Sequence, residues 1–206
     1  MTTGLVGFGI RDLDGLVGEG LQKGSVINLT GPPGVGKTRI SLSFLSEGLV
    51  SGETGLLVCF SSVPIINILK RVKDVKRYAP LFETDEPVVM DLGDLDRVDI
   101  LIGLIEDGGL HRLVLDHPEA MALRGSGKWF PKLEELLRTA RSFGVTTLIV
   151  DYNDCSPVGV GRYTSDGIVS IDTADGRTGA RIIKWDLDPN LVGREVREEV
   201  PGAWSK

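Results

Sequence analysis

The segment at residues 31–38 reads GPPGVGKT and directly follows a short apolar run, SVINLT. Its Gly31, Gly36, Lys37 and Thr38 fit the spacing Gly-x-x-x-x-Gly-Lys-Thr. A glycine-rich turn between a strand and a helix can wrap a phosphate group, because several backbone N–H groups and the positive end of the helix dipole meet there. The pattern therefore predicts a phosphate-binding loop, here called the phosphate loop (residues 31–38), within an α/β fold.

The phosphate loop offers both backbone and side-chain contacts to a nucleotide. We expect Lys37 to reach the β- and γ-phosphate oxygens and the Thr38 hydroxyl to hold Mg²⁺. A glycine-rich turn without a ligand is the alternative, but the strand before it and the helix after it favour the phosphate-binding interpretation. The predicted nucleotide-binding residues are Gly31, Pro32, Pro33, Gly34, Val35, Gly36, Lys37, Thr38 and Arg39.

Short apolar runs alternate with longer amphipathic segments along most of the chain, which is typical of βα units and a mostly parallel sheet. The expected strands are Val26–Leu29, Leu56–Phe60, Val88–Met90, Leu113–Leu115 and Thr147–Val150. The expected helices are Lys37–Val50, Pro64–Tyr78, Asp96–Asp107 and Pro131–Phe143.

The pattern changes near the end of the chain. Two β-prone runs flank an Asp- and Gly-rich turn in DGIVSIDTADGRTGARIIKWDL, which predicts an antiparallel hairpin at the sheet edge. We therefore divide the chain into one α/β domain, residues 1–187, and a charged tail, residues 188–206. The tail either packs on the core through Leu191, Val192 and Trp204 or frays.

Composition excludes several classes of protein. The net charge is −6, from 23 basic and 29 acidic residues, which argues against a protein that coats nucleic acid. No stretch reaches the roughly 20 apolar residues of a membrane span, and the first residues lack the pattern of a secretory signal. Cys59 and Cys155 follow or adjoin apolar runs and are expected to be buried free thiols. We expect a cytoplasmic protein without a membrane contact.

A second acidic element is expected at Asp116, which ends the apolar run in HRLVLDHPEAM. A carboxylate at the end of a strand can hold Mg²⁺ through water when it faces a phosphate loop. An aspartate at a strand end can also cap a turn. Together with the phosphate loop, the metal-binding role is favoured, so Thr38 and Asp116 are the predicted metal ligands.

The stretch GIRDLDGLVGEGLQKGSVINLTGPPGVGKTRISLSFLSEGLVSGETGLLVCF resembles the opening of KaiC-like and RadA-like domains, which belong to the RecA-like P-loop ATPase superfamily. The resemblance extends over roughly residues 9–186 and is strongest at 9–60 and 111–116. It implies a RecA-like fold, ATP and Mg²⁺ as ligands, and assembly into rings or filaments.

The chain departs from this family at the positions that activate water. Where the resemblance implies a glutamate, the chain has Ser61 and Ser62, and His117 rather than an acid follows Asp116. Serine is not a base near neutral pH, so we expect ATP binding with slow hydrolysis. Candidates that could orient the water are His117 and Glu119, and Asn153 is a candidate γ-phosphate sensor or a simple Asx turn.

Two further positions concern partners. In KaiC-like rings a basic pair on the last hairpin strand reaches the neighbouring subunit; here Lys184 keeps one basic residue, but Asp186 stands where the companion arginine would be expected. Ring assembly is therefore in doubt, although a homo-oligomer or another protein partner stays open. For nucleic acid, the basic stretch KRVKDVKR has no interleaved aromatic residues, and the loop near Arg162 and Tyr163 is sparse in basic residues.

Three hypotheses about function follow from these residues. The first is an ATP-binding RecA/KaiC-like protein with weak or partner-dependent hydrolysis and a regulatory role. The second is a catalytically inactive protein that keeps ATP as a structural or regulatory ligand. The third is a recombinase paralogue that binds single-stranded DNA. Whether the chain is an enzyme, a slow ATPase, is left open by the sequence.

Overall fold

The computed structural model describes residues 4–60, 66–72, 75–84, 89–91, 97–120, 129–151, 164–199 and 204. A small ribbon comes first, in which β1 (Leu5–Val6) pairs antiparallel with β2 (Leu21–Gln22). Between them lies α1 (Arg11–Leu16), which buries Leu13 and Leu16. This segment has its own short sheet and packs on the main core through its apolar side chains.

The strand and helix around the phosphate loop are those predicted. All five residues of β3 (Val26–Thr30) are buried, and α2 (Lys37–Val50) has the bounds expected from its apolar stripe. The helix begins after Gly36, whose φ of 100° is a left-handed conformation that favours glycine. Phe44 and Leu45, in the middle of the helix, are both buried.

The βα pattern continues through the middle of the chain. The predicted helix at 64–78 is an α-helix followed by a separate 3₁₀ turn at Lys76–Tyr78, with residues 73 and 74 outside the described part. The elements in this region are β4 (Gly55–Cys59), α3 (Ile66–Val72), α4 (Pro80–Glu83), β5 (Val89–Asp91), α5 (Val98–Glu106), β6 (Arg112–Asp116), α6 (Trp129–Ser142) and β7 (Thr146–Val150).

A hairpin and a short strand complete the main sheet. The hairpin consists of β8 (Gly167–Ala174) and β9 (Arg177–Trp185), and its turn residues Asp175 and Gly176 have φ values of 51° and 72°. Residues after 187 form a 3₁₀ turn at Pro189–Leu191 and then β10 (Glu195–Arg197), which pairs antiparallel with β9. The prediction that the hairpin forms the sheet edge is therefore wrong by one strand.

The described strands of the main sheet lie in the order β10-β9-β8-β3-β7-β6-β4-β5. All pairs are parallel except β8–β9 and β9–β10. Because β3 is central and parallel to β7 and β8, the phosphate loop lies at the same edge of the sheet as the carboxyl end of β7. The α/β fold with a mostly parallel sheet and a late antiparallel hairpin is confirmed.

Two apolar cores cover the faces of the sheet. The first packs the side chains of α1 and α2 against the sheet and includes Leu191 and Trp204. The second packs α5 and α6 against the other face. Of the three tail residues expected to contact the core, Val192 is instead 47% exposed. Within the described part of the chain, no helix combines the length and the apolar character needed to cross a bilayer.

Candidate nucleotide-binding site

Glycines of the phosphate loop occupy positions that other residues could not take without strain. Gly31 has a φ of 142°, and a Cβ there would overlap the carbonyl oxygen of Ile171 on β8. Gly34 and Gly36 have φ values of 85° and 100°, in the left-handed region. The loop therefore depends on glycine for its backbone path, and it rests directly against the hairpin.

Lys37 is folded back onto the phosphate loop. Its Nζ donates hydrogen bonds to the carbonyl oxygens of Gly31 at 2.6 Å and Pro32 at 2.8 Å, and the residue is only 4% exposed. Burial lowers the pKa of Lys37, while the negative charges of three carboxylates act in the opposite direction. Those carboxylates belong to Asp116, Asp151 and Glu119.

The remaining predicted nucleotide contacts differ in exposure. Pro32, Pro33 and Gly34 are exposed at the tip of the loop, whereas the Val35 side chain is buried in the first core. Val35 can therefore offer only its backbone to a ligand. Thr38 is partly exposed at the first turn of α2, and Arg39 beside it is exposed.

Asp116 ends β6, where the sequence predicted it, and is only 6% exposed. Its Oδ1 atom has no hydrogen-bond partner among the described residues. Burial raises the pKa of Asp116 to about 6, and the positive charge of Lys37 opposes this shift. A buried carboxylate oxygen that has no donor among the described residues and lies within electrostatic range of an ammonium group fits the requirement for a bound cation or an ordered water. With the Thr38 hydroxyl it is the described group best suited to hold Mg²⁺.

His117 and Glu119 form a close pair beside this aspartate. The His117 Nδ1 atom lies 3.1 Å from Glu119 Oε1, and neither side chain is more than 18% exposed. His117 has a φ of 63°, and its backbone N–H donates to the Val150 carbonyl at 3.0 Å. Burial lowers the pKa of His117 to about 4, with Lys37 contributing in the same direction. The ring is therefore neutral at pH 7.

Sequence reasoning missed Asp151, the residue that directly follows β7. It is 7% exposed, and its backbone N–H donates to the Leu29 carbonyl on β3 at 3.0 Å. The Nδ2 atom of Asn28 lies 3.5 Å from Asp151 Oδ2. The available signal was an acid immediately after an apolar run, the same signal that identified Asp116. Asn153, the candidate γ-phosphate sensor, lies outside the described residues, as do Ser61 and Ser62.

Lys184 and Asp186 lie away from the phosphate loop of their own chain. Lys184 pairs with Ile168, which pairs with Asn28, so it lies below the carboxyl end of β3. Its Nζ contacts Asp186 Oδ2 at 2.8 Å and donates to the Ser165 carbonyl at 2.6 Å. Lys184 and Asp186, the positions that correspond to the basic pair of KaiC-like rings, therefore form an ion pair with each other.

The described residues bring the main parts of a phosphate site together. The phosphate loop supplies backbone N–H groups, Lys37 supplies a cation, and Asp116 supplies a carboxylate oxygen that has no partner among the residues described. The pair of His117 and Glu119 lies within electrostatic range of Lys37. Such an arrangement can neutralise a polyphosphate and hold the metal ion that accompanies it.

Comparisons with known proteins concern the family and the fold. Residues 6–101 match the family model described as "ATPase: KaiC". A UPF0273 protein from Aeropyrum pernix is 25% identical over 205 residues, and another from Pyrococcus horikoshii is 26% identical over 205 residues. Each alignment covers 87% of this chain and 83% of the relative.

A solved structure extends the comparison to the whole fold. The crystal structure of a KaiC-like protein from Pyrococcus horikoshii superposes with a TM-score of 0.79 and 20% sequence identity, covering 97% of this chain and 96% of that one. At this identity the match shows the fold alone. Together with the family model and the phosphate loop, these findings confirm the predicted resemblance to a KaiC-like domain of the RecA-like P-loop ATPase superfamily.

Proposed function

We propose that this protein binds ATP together with Mg²⁺ at the phosphate loop and hydrolyses it slowly when alone. The observation that carries the proposal is the buried Oδ1 atom of Asp116, which has no hydrogen-bond partner in the part of the chain that the structure describes and lies within electrostatic range of Lys37. An unsatisfied buried carboxylate oxygen is costly in a protein, and a hydrated cation relieves that cost. The KaiC-like family model supports adenosine as the nucleoside.

Different residues would bind different parts of the nucleotide. Backbone N–H groups of the phosphate loop face the β-phosphate, and Lys37 exchanges its contacts with Gly31 and Pro32 for phosphate oxygens. The Thr38 hydroxyl and the Asp116 carboxylate would hold Mg²⁺, the latter directly or through water. Bound Mg²⁺ would offset the negative charge of the triphosphate.

Slow hydrolysis is proposed because neither customary glutamate position holds an acid. Ser61 and Ser62 replace one of them, and His117 replaces the other. The neutral His117 ring, paired with Glu119, can orient a water molecule. Loss of a general base typically costs about 10²–10⁴-fold in rate, so from a typical turnover of about 10 s⁻¹ we expect less than about 0.1 s⁻¹.

A regulatory role is the proposal that best fits tight binding with slow turnover. A protein that keeps its nucleotide for a long time can report the nucleotide state to a protein partner or a second copy of itself. The hairpin supports this role, because Ile171 of β8 lies directly against Gly31. A change in the phosphate loop therefore reaches the outer strands of the sheet.

Contacts in the basic segment favour the nucleotide role over the recombinase alternative. Of its described residues, Arg77 donates a hydrogen bond to the Trp204 carbonyl at 2.7 Å and is thus engaged in holding the fold together. Lys70 and Lys76 are exposed, as expected of a solvated helix face. Binding of a fluorescent single-stranded oligonucleotide at low salt, strengthened by ATP, would instead support the recombinase alternative.

The decisive experiment combines nucleotide titration with phosphate release for the wild type and Lys37→Ala. We expect the wild type to bind Mg·ATP in calorimetry and the variant to bind at least tenfold more weakly, since the ammonium–phosphate attraction is lost. The matched control is Lys23→Ala, which removes an exposed lysine before the amino end of β3 and should leave binding unchanged. Absence of binding by the wild type would overturn the proposal, and turnover near 10 s⁻¹ would overturn its slow-hydrolysis part.

A further inference from the structure

The outer face of α5 is apolar although it is open to solvent. On the inner side of this helix, Val98, Leu101 and Ile105 pack in the second core. On the opposite side, Ile100 and Leu104 are 58% and 42% exposed. A helix at the surface of a domain normally has polar residues on its solvent side, and a helix that is apolar all round is normally covered. The outer face of α5 therefore has the composition of a covered surface.

A glycine lies between these two exposed side chains. Ile100, Gly103 and Leu104 are three and four positions apart, so they share one face of the helix. A Cβ added to Gly103 would meet no described atom within 4 Å, so packing within the described part of the chain does not require a glycine here. Glycine is unfavourable in the interior of a helix. It leaves a depression between Ile100 and Leu104 that can accept a side chain of a second, crossing helix.

The carboxyl end of α5 is acidic. Glu106 and Asp107 are both exposed there, and the last turn contains no basic residue. Neither side chain has an ion pair or a hydrogen bond among the described residues. The free carbonyl groups make this end of a helix negative, so acidic residues at this position are unfavourable. The isolated chain therefore leaves a negative charge beside the apolar face without compensation.

The other charges beside this face do not reverse its sign. Lys132 of α6 is shared by Asp99 at 2.6 Å and Glu135 at 3.1 Å. Arg97, which precedes α5, is a second cation. With Glu106 and Asp107 included, carboxylates outnumber cations around the face. An exposed apolar patch with a charged rim is typical of a surface that binds another macromolecule.

We propose that the outer face of α5 is a docking surface for an amphipathic helix of a partner protein, with lysine or arginine beside its apolar stripe. The apolar stripe covers Ile100 and Leu104, with the closest approach of the two backbones at Gly103. The basic residues of the partner lie near Glu106 and Asp107. Exposed apolar residues, an interior glycine and acids at the negative end are each unfavourable in the free chain, and this one occupant compensates all three.

Charge distinguishes this occupant from two others. A second copy of the chain that used the same face would bring like charges opposite each other, and an anionic lipid surface would be repelled. A basic helix is complementary in charge. The face lies over the second core, on the side of the sheet opposite to α2, so the inference goes beyond the proposed nucleotide binding and does not depend on it.

The test uses a synthetic peptide as the probe. It has about 18 residues, only leucine and lysine, with the leucines spaced to form one face of a helix. One control peptide has the same composition in an order without an apolar face, and another has glutamate in place of lysine. Fluorescence anisotropy of the labelled peptides measures binding without nucleotide. We expect the wild type to bind the first peptide far more tightly than the controls, and less tightly at high salt because salt screens exposed charges.

The first pair of variants removes apolar contacts without changing the charge. Ile100→Ser combined with Leu104→Ser should weaken binding of the basic amphipathic peptide by about tenfold or more, since two apolar side chains are then no longer buried by it. Phe82→Ser combined with Val192→Ser is the matched control. These two residues are 45% and 47% exposed and lie outside α5 and α6, so this variant should bind like the wild type.

Two further variants test the glycine and the charge. Gly103→Leu adds apolar surface but fills the depression, so it should weaken the docking of a helix, whereas it would strengthen non-specific apolar attraction. Glu106→Gln combined with Asp107→Asn should weaken binding severalfold at low salt and less at high salt. Glu83→Gln combined with Asp175→Asn removes the same charge from exposed residues elsewhere and should have little effect.

The outcomes either support or overturn the docking surface. Weaker binding by all three α5 variants, with normal binding by both controls, supports it. Failure of the wild type to bind the basic amphipathic peptide, or equal affinity of the Ile100 and Leu104 double variant, would overturn it. Tighter binding by Gly103→Leu would also overturn it, because the face would then attract any apolar surface. A wild-type dimer in analytical ultracentrifugation that the double serine variant lacks would assign the face to a second copy instead.

Discussion

At the scale of single residues, Asp116 and His117 hold opposite charges in the unfolded chain at pH 5 and are both mostly neutral in the folded one. Burial raises the pKa of Asp116 from 3.8 to about 6 and lowers that of His117 from 6.5 to about 4. Folding at this pH therefore takes up one proton and releases another. The two residues are neighbours, yet their effects on stability have opposite signs.

The signs follow from proton linkage. For Asp116 the folded pKa is the higher one, so its contribution is present below pH 3.8 and is lost as the pH rises through 6. For His117 the folded pKa is the lower one, so its contribution is present above pH 6.5 and is lost as the pH falls through 4. Between pH 4 and 6 the two residues change the free energy of unfolding of the wild type with pH by nearly equal and opposite amounts.

Substitution of one of the two residues should reveal the pH dependence of stability that the other contributes. Without nucleotide or Mg²⁺, we expect Asp116→Asn to gain stability as the pH rises from 4 to 6.5, since only His117 then contributes. His117→Asn should lose stability from pH 4 to 6, and asparagine tolerates the positive φ at this position. Each change amounts to at most about 3 kcal/mol. Urea denaturation across this range checks it, and parallel profiles for the three proteins would contradict it.

Residue positions could be predicted from the sequence where a motif has a fixed spacing. Lys37, Thr38 and Asp116 could be placed near each other because a strand, a loop and a second strand end must converge on one edge of a parallel sheet. The position of Asp151 could not be predicted, because it depends on strand order. The sequence alone does not show that β7 lies directly beside β3, which is what brings Asp151 to the phosphate loop.

At the scale of elements, Arg112 shows why α2 contains a glycine in its interior. The guanidinium of Arg112 is 3% exposed and contacts Glu53 at 2.6 Å, the Phe44 carbonyl at 2.6 Å and the Gly7 carbonyl at 2.8 Å. A Cβ on Gly48 would lie 2.5 Å from its side chain. The missing methyl group of Gly48 therefore makes room for the arginine that joins β6 to α2 and to the first segment.

Two glycine-to-alanine substitutions should have opposite effects. Gly48→Ala gains helix propensity but displaces the anchored Arg112, and we expect a net loss of about 2 kcal/mol. Gly103→Ala, in α5, meets no atom within 4 Å and should gain about 0.5–1 kcal/mol. Thermal and urea unfolding of both variants measure the difference. Stabilisation of both to the same extent would mean that Arg112 moves aside at little cost.

Elements with strong periodicity were predictable, and short ones were not. The bounds of α2 and the existence of the hairpin followed from apolar spacing and the Asp175–Gly176 turn. By contrast, β10 reads Glu-Val-Arg and has no apolar run. It forms because its backbone pairs with β9. Backbone pairing does not require a particular order of apolar and polar residues, so the sequence does not reveal it.

At the scale of the whole molecule, Trp204 links distant parts of the chain. Its Nε1 donates to Asp12 of α1 at 2.9 Å, its backbone N–H donates to Glu198 at 3.1 Å, and its carbonyl accepts from Arg77 at 2.7 Å. The residue is 4% exposed and belongs to the first core. Trp204 thus connects segments that are more than a hundred residues away from it along the chain.

Removal of this ring should weaken the whole fold. We expect Trp204→Ala to cost about 3 kcal/mol, which for a chain of this size lowers Tm by about 6–12 °C. Trp204→Phe keeps most of the apolar area and should cost less. Val192→Ala, at a tail residue that is 47% exposed, is the control and should change Tm little. Similar Tm values for the alanine variants would show that the tail does not stabilise the domain.

The contact between Gly31 and Ile171 has a mechanical consequence. Because no space exists there even for a methyl group, β8 cannot shift toward the loop without pushing it, and the loop cannot open in that direction without pushing β8. The motion passes through ladder hydrogen bonds to β9 and β10. A partner that binds and displaces β10 would therefore also displace the phosphate loop, which follows β3 three strands away.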